Sequence, residues 1–506
     1  MTRNEIKRGA GVILLTTLAI ALSACSPPPA SQGSESARKW GSLTFEPCTL
    51  ESKQGFPAEA AYCTKFAVPE NPAMPEGRKI DLNVAWIPAN NAGDLTDPVL
   101  FLAGGPGQAA VEYASFAANI LNDANKNRDL LILDQRGTGN SGKLSCPKTD
   151  DANKLDDLTA TPAKQLEVLR KCHEEVALKA DTRFYTTANF VNDIEAVRKA
   201  IGATQLNLVG ISYGTRAAQK YAQAYPQNVR TMILDGVAPN RLVIGEEFAQ
   251  GLDAALRKQD AYCTKIPSCR KMYGGNLAAR LKALRIKLDA SPATVQVRNG
   301  ETNTLEPVTV NGARLVGLVQ MLAYSPEMMS ILPLLIKQAE AGDYQPLGAL
   351  SASMTSSNSS GIEPGLYMSV ICAEDVPRWK PNEKATQSLL GRDFQAEYAA
   401  ACEVWPAGTA QANFVDTPTS QVPTLLLSGE LDPVTPPSYA AEIGKFYPNS
   451  RSLVLKGGGH GALMRGCASR LAGQFIERAD AKSLDTKCLD SLSFIPPFTS
   501  FNGWDP

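Results

Sequence analysis

The chain has 506 residues, 50 Lys and Arg against 51 Asp and Glu, and a formal net charge of −1. No basic block breaks that balance, so nucleic acid is not an expected partner. The length provides for a large core plus an inserted subdomain, and beyond the first residues no apolar run is long enough to span a bilayer.

Residues 1–24 have the three parts of an export signal: a basic start (Arg3, Lys7, Arg8), an apolar run from Val12 to Leu22, and small residues before Cys25. Leu22-Ser23-Ala24-Cys25 resembles a bacterial lipobox, in which the Cys carries the lipid and becomes the new N-terminus; a plain secretory signal cut nearby is the alternative. On the lipobox reading the protein is an exported lipoprotein facing the periplasm or the cell exterior. Several acyl chains would hold it on the membrane, at about 0.8 kcal/mol per buried CH₂. Residues 25–39, rich in Pro, Ser and Ala near their start, read as a flexible tether.

Eleven cysteines are many for a reduced cytosolic protein, and giving Cys25 to lipid leaves an even set. Disulfides are expected. Connectivity does not follow from sequence, but near neighbours suggest Cys48 with Cys63, Cys146 with Cys172, Cys263 with Cys269, Cys372 with Cys402, and Cys467 with Cys488. A metal site is the rival reading. With no C-x-x-C pair and only two histidines, no metal and no cofactor is expected.

In chain order the candidate strands are Ile80 to Ile87, Pro98 to Ala103, Leu130 to Asp134, Leu206 to Ile211, Arg230 to Asp235, Thr424 to Ser428 and Ser452 to Lys456. Candidate helices alternate with them: Phe190 to Ile201, Thr215 to Tyr225, Tyr439 to Phe446 and Ala468 to Ala479. This alternation predicts an α/β fold, a mostly parallel sheet with helices on both faces. Residues 40–239 and 423–506 form the two parts of that core. Between them, 240–422 breaks the pattern with amphipathic stretches (Leu277 to Leu288, Ala313 to Leu322, Met328 to Ala341), a possible hairpin from Thr294 to Val310 and a Ser-rich turn region at Ser351 to Gly361. An insertion between two late strands lies beside the carboxyl ends of the sheet, so it reads as a mainly helical cap over the site.

Gly210-Ile211-Ser212-Tyr213-Gly214 follows an apolar strand and precedes a helix-forming stretch. That context suits G-x-S-x-G, a strained strand-to-helix turn that exposes the serine hydroxyl in an α/β-hydrolase fold; an ordinary Gly-rich turn is the bland alternative. A serine needs a general base, and only His173 and His460 are available. His173 stands among charged residues and reads as an exposed helical residue. His460, within Gly457-Gly458-Gly459-His460-Gly461 after a late strand, satisfies the order Ser, acid, His. Asp432, on a loop after the strand before it, is the expected acid, with Glu430 its nearest competitor. Backbone N–H groups for an oxyanion are expected from Tyr213 and from the Gly104-Gly105-Pro106-Gly107 loop, where Gly105 is preferred over Gly104.

Together these residues resemble the prolyl iminopeptidase and tripeptidyl aminopeptidase branch of the α/β-hydrolases. The resemblance is carried by Gly104-Gly105-Pro106-Gly107, Asp134-Gln135-Arg136-Gly137-Thr138-Gly139-Asn140-Ser141, the Ser212 turn, and the Asp432 and His460 loops. Ala103, where prolyl iminopeptidases commonly have His, and the longer insertion move it toward secreted tripeptidyl aminopeptidases. The implied activity is release of a short N-terminal peptide, or a single residue, from a peptide with a free amine. An exopeptidase of that kind recognises an ammonium. Glu374 and Asp375, in a run similar to a cap segment of that subgroup, are the candidates for that contact; a structural partnership with Arg378 is the alternative. Asp134 and Arg136 read as scaffolding. A carboxylesterase or lipase on the same fold is the second hypothesis, and a non-catalytic surface lipoprotein the third.

Overall fold

The computed structural model describes residues 36–503 except 53–54, 92–95, 147–161, 301, 357–360, 382–386 and 390–393. The export signal, Cys25 and most of the tether lie outside the described residues.

Five short apolar strands, β5 (Val99–Leu102), β6 (Leu130–Leu133), β7 (Leu206–Ile211), β8 (Val229–Asp235) and β11 (Thr424–Gly429), are buried along nearly their whole length. Continuous burial is what parallel strands covered on both faces require. They pair in the order β6-β5-β7-β8-β11, all parallel, and β12 (Ser450–Leu455) closes that side, also parallel to β11. On the other side β4 (Lys79–Ile87) runs antiparallel to β6, followed outward by β3 (Glu59–Pro69), β2 (Leu43–Leu50) and β1 (Arg38–Trp40). These last three strands were not expected from the sequence. Only part of their side chains enter the core: in β2, Phe45 and Leu50 are buried while Glu46 and Pro47 are exposed.

Helices cover the sheet. Thr187–Ala200 starts where the Thr186 hydroxyl accepts a bond from Asn189 N–H, and it buries Phe190, Val191, Ile194 and Val197. Ala468–Arg478 buries Leu471, Phe475 and Ile476 in the other apolar layer.

Strands β8 and β11 are hydrogen-bonded neighbours, yet residues 236–423 lie between them in sequence. The intervening chain forms the helices Phe248–Cys263, Leu277–Ala290, Gly312–Ala323, Leu332–Glu340, Gln345–Ser356 and Pro364–Glu374, and a hairpin of β9 (Ala293–Arg298) and β10 (Leu305–Val310). Leu252, Leu281, Leu315, Leu318, Leu332 and Ile336 give it a hydrophobic cluster of its own. Two expectations fail here. The stretch 328–341 is not one helix: Pro326–Met329 ends and Leu332–Glu340 restarts, with Pro333 in the first turn, where its missing N–H costs nothing. Ser351 lies within a helix rather than a turn, its hydroxyl bonding back to Gly348 O at 2.9 Å.

Five disulfides join Cys48–Cys63, Cys146–Cys172, Cys263–Cys269, Cys372–Cys402 and Cys467–Cys488. Each pairs sequence neighbours and adds about 2 to 4 kcal/mol by constraining the unfolded chain, least for the six-residue separation at Cys263.

Candidate active site

The loops that leave β5, β7, β8, β11 and β12 all emerge at the carboxyl edge of the parallel strands, where an open α/β sheet binds its ligands. Ser212 follows β7 directly and has φ 56° and ψ −122°, a left-handed conformation that costs a non-glycine residue energy. The flanking glycines make that turn possible. A methyl on Gly210 would run into Gly214 O, and one on Gly214 into Leu102 O of β5. Ser212 N–H donates to Asp235 O at 2.9 Å, which locks the turn to the end of β8. Tyr213 opens the helix Tyr213–Ala224, so its N–H is in the first turn, where no intrahelical acceptor exists. Its hydroxyl lies 2.7 Å from Thr187 Oγ1 and takes a 3.2 Å bond from Gln135 Nε2, which anchors the residue behind the serine.

On the facing loop, Gly105 has φ 106° and Gly107 φ 108°, conformations that favour glycine. Gly104 is the glycine that packs on Ser212: a methyl there would sit 3.2 Å from Ser212 Cβ and 2.9 Å from Gln108 Oε1.

His460 Nδ1 lies 2.8 Å from Asp432 Oδ2. The Asp432 carboxylate is buried and fully engaged, since Oδ1 accepts from Val434 N–H (2.9 Å) and Thr435 N–H (2.8 Å) and Oδ2 from the Thr435 hydroxyl (2.7 Å). Burial raises its pKa, but the charge and hydrogen bond of His460, with the Thr435 bonds, outweigh this and hold it below the ordinary carboxylate value. His460 mirrors this: burial lowers its pKa, Asp432 outweighs that by charge and hydrogen bond, Asp235 adds to it, and the net shift is upward. Glu430 serves structure instead, accepting from the Tyr262 hydroxyl at 2.9 Å and from Gly457 N–H at 2.9 Å. His173 is half-buried rather than exposed, edge-on to Trp405 with ring centroids 5.1 Å apart.

Glu374 and Asp375 do not present carboxylates to a ligand. Glu374 is 1 % exposed, and its two oxygens accept from Thr187 N–H at 2.6 Å and from the Thr187 hydroxyl at 2.7 Å. Asp375 is 0 % exposed and is gripped by Arg216 (3.1 Å on both oxygens) and by Arg378 at 3.0 Å. The amine-binding expectation is therefore corrected: both side chains are already satisfied, and they tie the Pro364–Glu374 helix to the helices behind Ser212. Burial, more than the opposing Arg216 charge and Thr187 bond, pushes Glu374 up to about 7. Asp134 accepts from Val111 N–H (2.8 Å), Asn83 Nδ2 (2.9 Å) and Asn140 N–H (3.2 Å). Arg136 forks onto Asp193 at 2.7 and 2.6 Å.

Sequence reasoning passed over three groups in this site: Thr435, Asp235 and Gly236. Asp235 left one signal, a carboxylate at the carboxyl end of an apolar strand.

Residues 97–272 match a family model described as alpha/beta hydrolase fold, and residues 387–488 match one described as TAP-like protein. The first span contains Gly105 and Ser212, the second Asp432 and His460. The chain is 25% identical over 479 residues to the tripeptidyl aminopeptidase of Streptomyces lividans, across 88% of this chain and 86% of that one. It is 26% identical over 428 residues to the serine protease Hip1 of Mycobacterium bovis, across 78% of this chain and 80% of that one. Among solved structures, a proline iminopeptidase from Mycobacterium smegmatis aligns with a TM-score of 0.41 and 18% identity over 82% of this chain and 99% of that chain. The chain has the α/β-hydrolase fold, with a carboxyl-terminal part similar to the TAP-like protein model, and is a hydrolase of the peptidase type.

Proposed function

We propose that this protein is a serine aminopeptidase that releases short N-terminal peptides, or single residues, from peptides with a free N-terminus. The observation that carries the catalytic part is the 2.8 Å contact of His460 Nδ1 with a fully bonded Asp432, on loops that share the carboxyl edge of the sheet with Ser212. With Nδ1 committed to Asp432, Nε2 is the nitrogen left to take the Ser212 proton. Ser212 Oγ then attacks the scissile carbonyl. The N–H groups of Tyr213 and Gly105 hold the oxyanion, and Gly104 keeps the loop close to the serine. His460 returns its proton to the departing amine, which carries away the shortened peptide. Water, activated by the same imidazole, hydrolyses the acyl-enzyme and frees the N-terminal fragment. The exopeptidase part is supported by the relative named as a tripeptidyl aminopeptidase.

The helical insertion between β8 and β11 acts as the cap that limits the site to chain ends. The same reading places the enzyme outside the cytoplasm, tethered to a membrane through lipid on Cys25. Five disulfides support an oxidising compartment.

The test is a panel of chromogenic peptides, N-terminally free or blocked, beside short-chain esters, with Ser212→Ala as control. Free peptides should be preferred, and Ser212→Ala should lose on the order of 10⁶-fold in rate. Preference for blocked peptides or esters overturns the aminopeptidase reading, and full turnover by Ser212→Ala overturns the nucleophile.

A further inference from the structure

Asp235 ends β8 with a fully buried side chain and meets the site through three separate atoms. Its carbonyl accepts the N–H of Ser212 at 2.9 Å. Its carboxylate oxygens accept the N–H of Ala462 at 2.8 Å and of Leu463 at 2.9 Å, the first two residues of the short helical turn just past His460. The next residue, Gly236, has φ 65° and lies against the imidazole: a methyl there would stand 3.0 Å from His460 Cε1 and 2.9 Å from Thr435 Oγ1. One dipeptide therefore fixes both the backbone of the nucleophile and the loop that carries the base.

Two backbone N–H groups can be satisfied by a neutral side chain, and a buried carboxylate is costly to keep. The titratable groups that face Asp235 are His460 and Asp432. A second negative charge beside Asp432 is unfavourable by itself. It becomes useful when Ser212 gives its proton to His460 and an imidazolium must be held.

We propose that Asp235 is a positioning residue of the reaction, whose carboxylate fixes the His460 loop and stabilises the imidazolium while its carbonyl fixes Ser212. The proposal rests on the Ser212-His460-Asp432 reading above. Burial pushes the Asp235 carboxyl up to about 6, although the Leu463 and Ala462 N–H groups and His460 oppose it. The group is thus ionised at neutral pH and neutralised in mild acid.

The experiment measures the second-order rate at which a fluorophosphonate labels the full chain, as a function of pH, for the wild type, Ser212→Ala and Asp235→Asn, with thermal melts at each pH. The wild type should label and Ser212→Ala should not. Asp235→Asn should label on the order of 10- to 100-fold more slowly, as a small misplacement of a catalytic group implies. The midpoint of its acid limb should also lie below that of the wild type, because a charge favouring imidazolium is gone. In the wild type the logarithm of the rate should steepen from a slope of one to a slope approaching two below about pH 6. Wild-type speed for Asp235→Asn, or slower labelling with an unmoved midpoint, overturns the proposal and leaves the triad standing. Should Asp235→Asn fail to fold, the wild-type profile decides, and a slope of one throughout the acid limb overturns it. Labelling of Ser212→Ala at the wild-type rate overturns the triad reading and this proposal with it.

Discussion

The Thr435 hydroxyl donates to Asp432 Oδ2 at 2.7 Å, and Thr435 Oγ1 itself lies 3.0 Å from His460 Nδ1. A single hydroxyl therefore touches both members of the acid–base pair and fixes the carboxylate oxygen that faces the ring. Removing it leaves Asp432 with two backbone donors but frees Oδ2 to swing. A hydrogen bond to a charged group contributes about 1.5 to 3 kcal/mol, so Thr435→Ala should lose roughly 10- to 100-fold in kcat with little change in KM. Thr435→Ser keeps the hydroxyl and should stay near the wild type. Steady-state kinetics on both variants checks this, and equal losses in the two would remove the hydroxyl from the account.

Arg216, on the helix Tyr213–Ala224, forms a buried cluster with Asp375 and Glu374, and Arg216 and Asp375 are both 0 % exposed. Asp375→Asn breaks a buried charge pair without emptying the space it fills. Loss of one partner in such a pair costs about 3 to 5 kcal/mol, so urea unfolding should show a large drop in midpoint. The ratio of kcat/KM for free over blocked peptides should not move in Asp375→Asn or Glu374→Gln. Collapse of that ratio with stability intact would restore these residues as the ammonium contact.

His460 must be neutral to accept the Ser212 proton, and its folded pKa lies above the ordinary histidine value because Asp432 outweighs burial. Asp432 is shifted the other way and stays ionised well into acid. The acid limb of kcat/KM should therefore have its first midpoint above about 6.5, and activity should be gained as pH rises through it. Asp432→Asn should lose on the order of 10⁴-fold and move any residual limb to lower pH. For stability the sign is opposite: the contribution of a raised histidine is complete below its unfolded pKa and is lost as pH rises through the folded one. As pH rises from about 6.5 through the raised His460 pKa, the rate should climb while this contribution to the melting temperature is lost, which parallel pH series of the two would reveal.

The layout of the candidate site was legible where it depends on local backbone. Ser212 needs glycines two residues away on either side, and His460 and Asp432 stand on loops directly after apolar strands. Strands β5, β6, β7 and β11 read clearly because parallel strands bury both faces. Strand β2 did not, since its two buried apolar residues, Phe45 and Leu50, go to different core layers with exposed Glu46 and Pro47 between them. The partners of buried polar groups were illegible for a different reason. Asp375 was read beside Arg378, three residues on, and does touch it, but it also holds Arg216, which is distant in sequence. Asp235 meets Ala462 and Leu463 only after the whole insertion has been traversed. Such pairings depend on how the sheet closes, and no local pattern records them.

Gly104 offers a test of the loop that faces the serine. A methyl there would lie 2.9 Å from Gln108 Oε1 and 3.2 Å from Ser212 Cβ. The glutamine is the end of a flexible side chain and can move aside. Ser212 cannot, because its N–H is bonded to Asp235 O and its turn is locked by Gly210 and Gly214. In Gly104→Ala the loop itself must therefore retreat, carrying with it the N–H that meets the oxyanion. Displacing one such donor costs on the order of 10²-fold or more in kcat. The variant should fold, since the strain falls at the rim of the sheet, and it should still label with a fluorophosphonate, though slowly. A normal kcat in a Gly104→Ala protein of normal melting temperature would mean that this loop contributes no oxyanion donor.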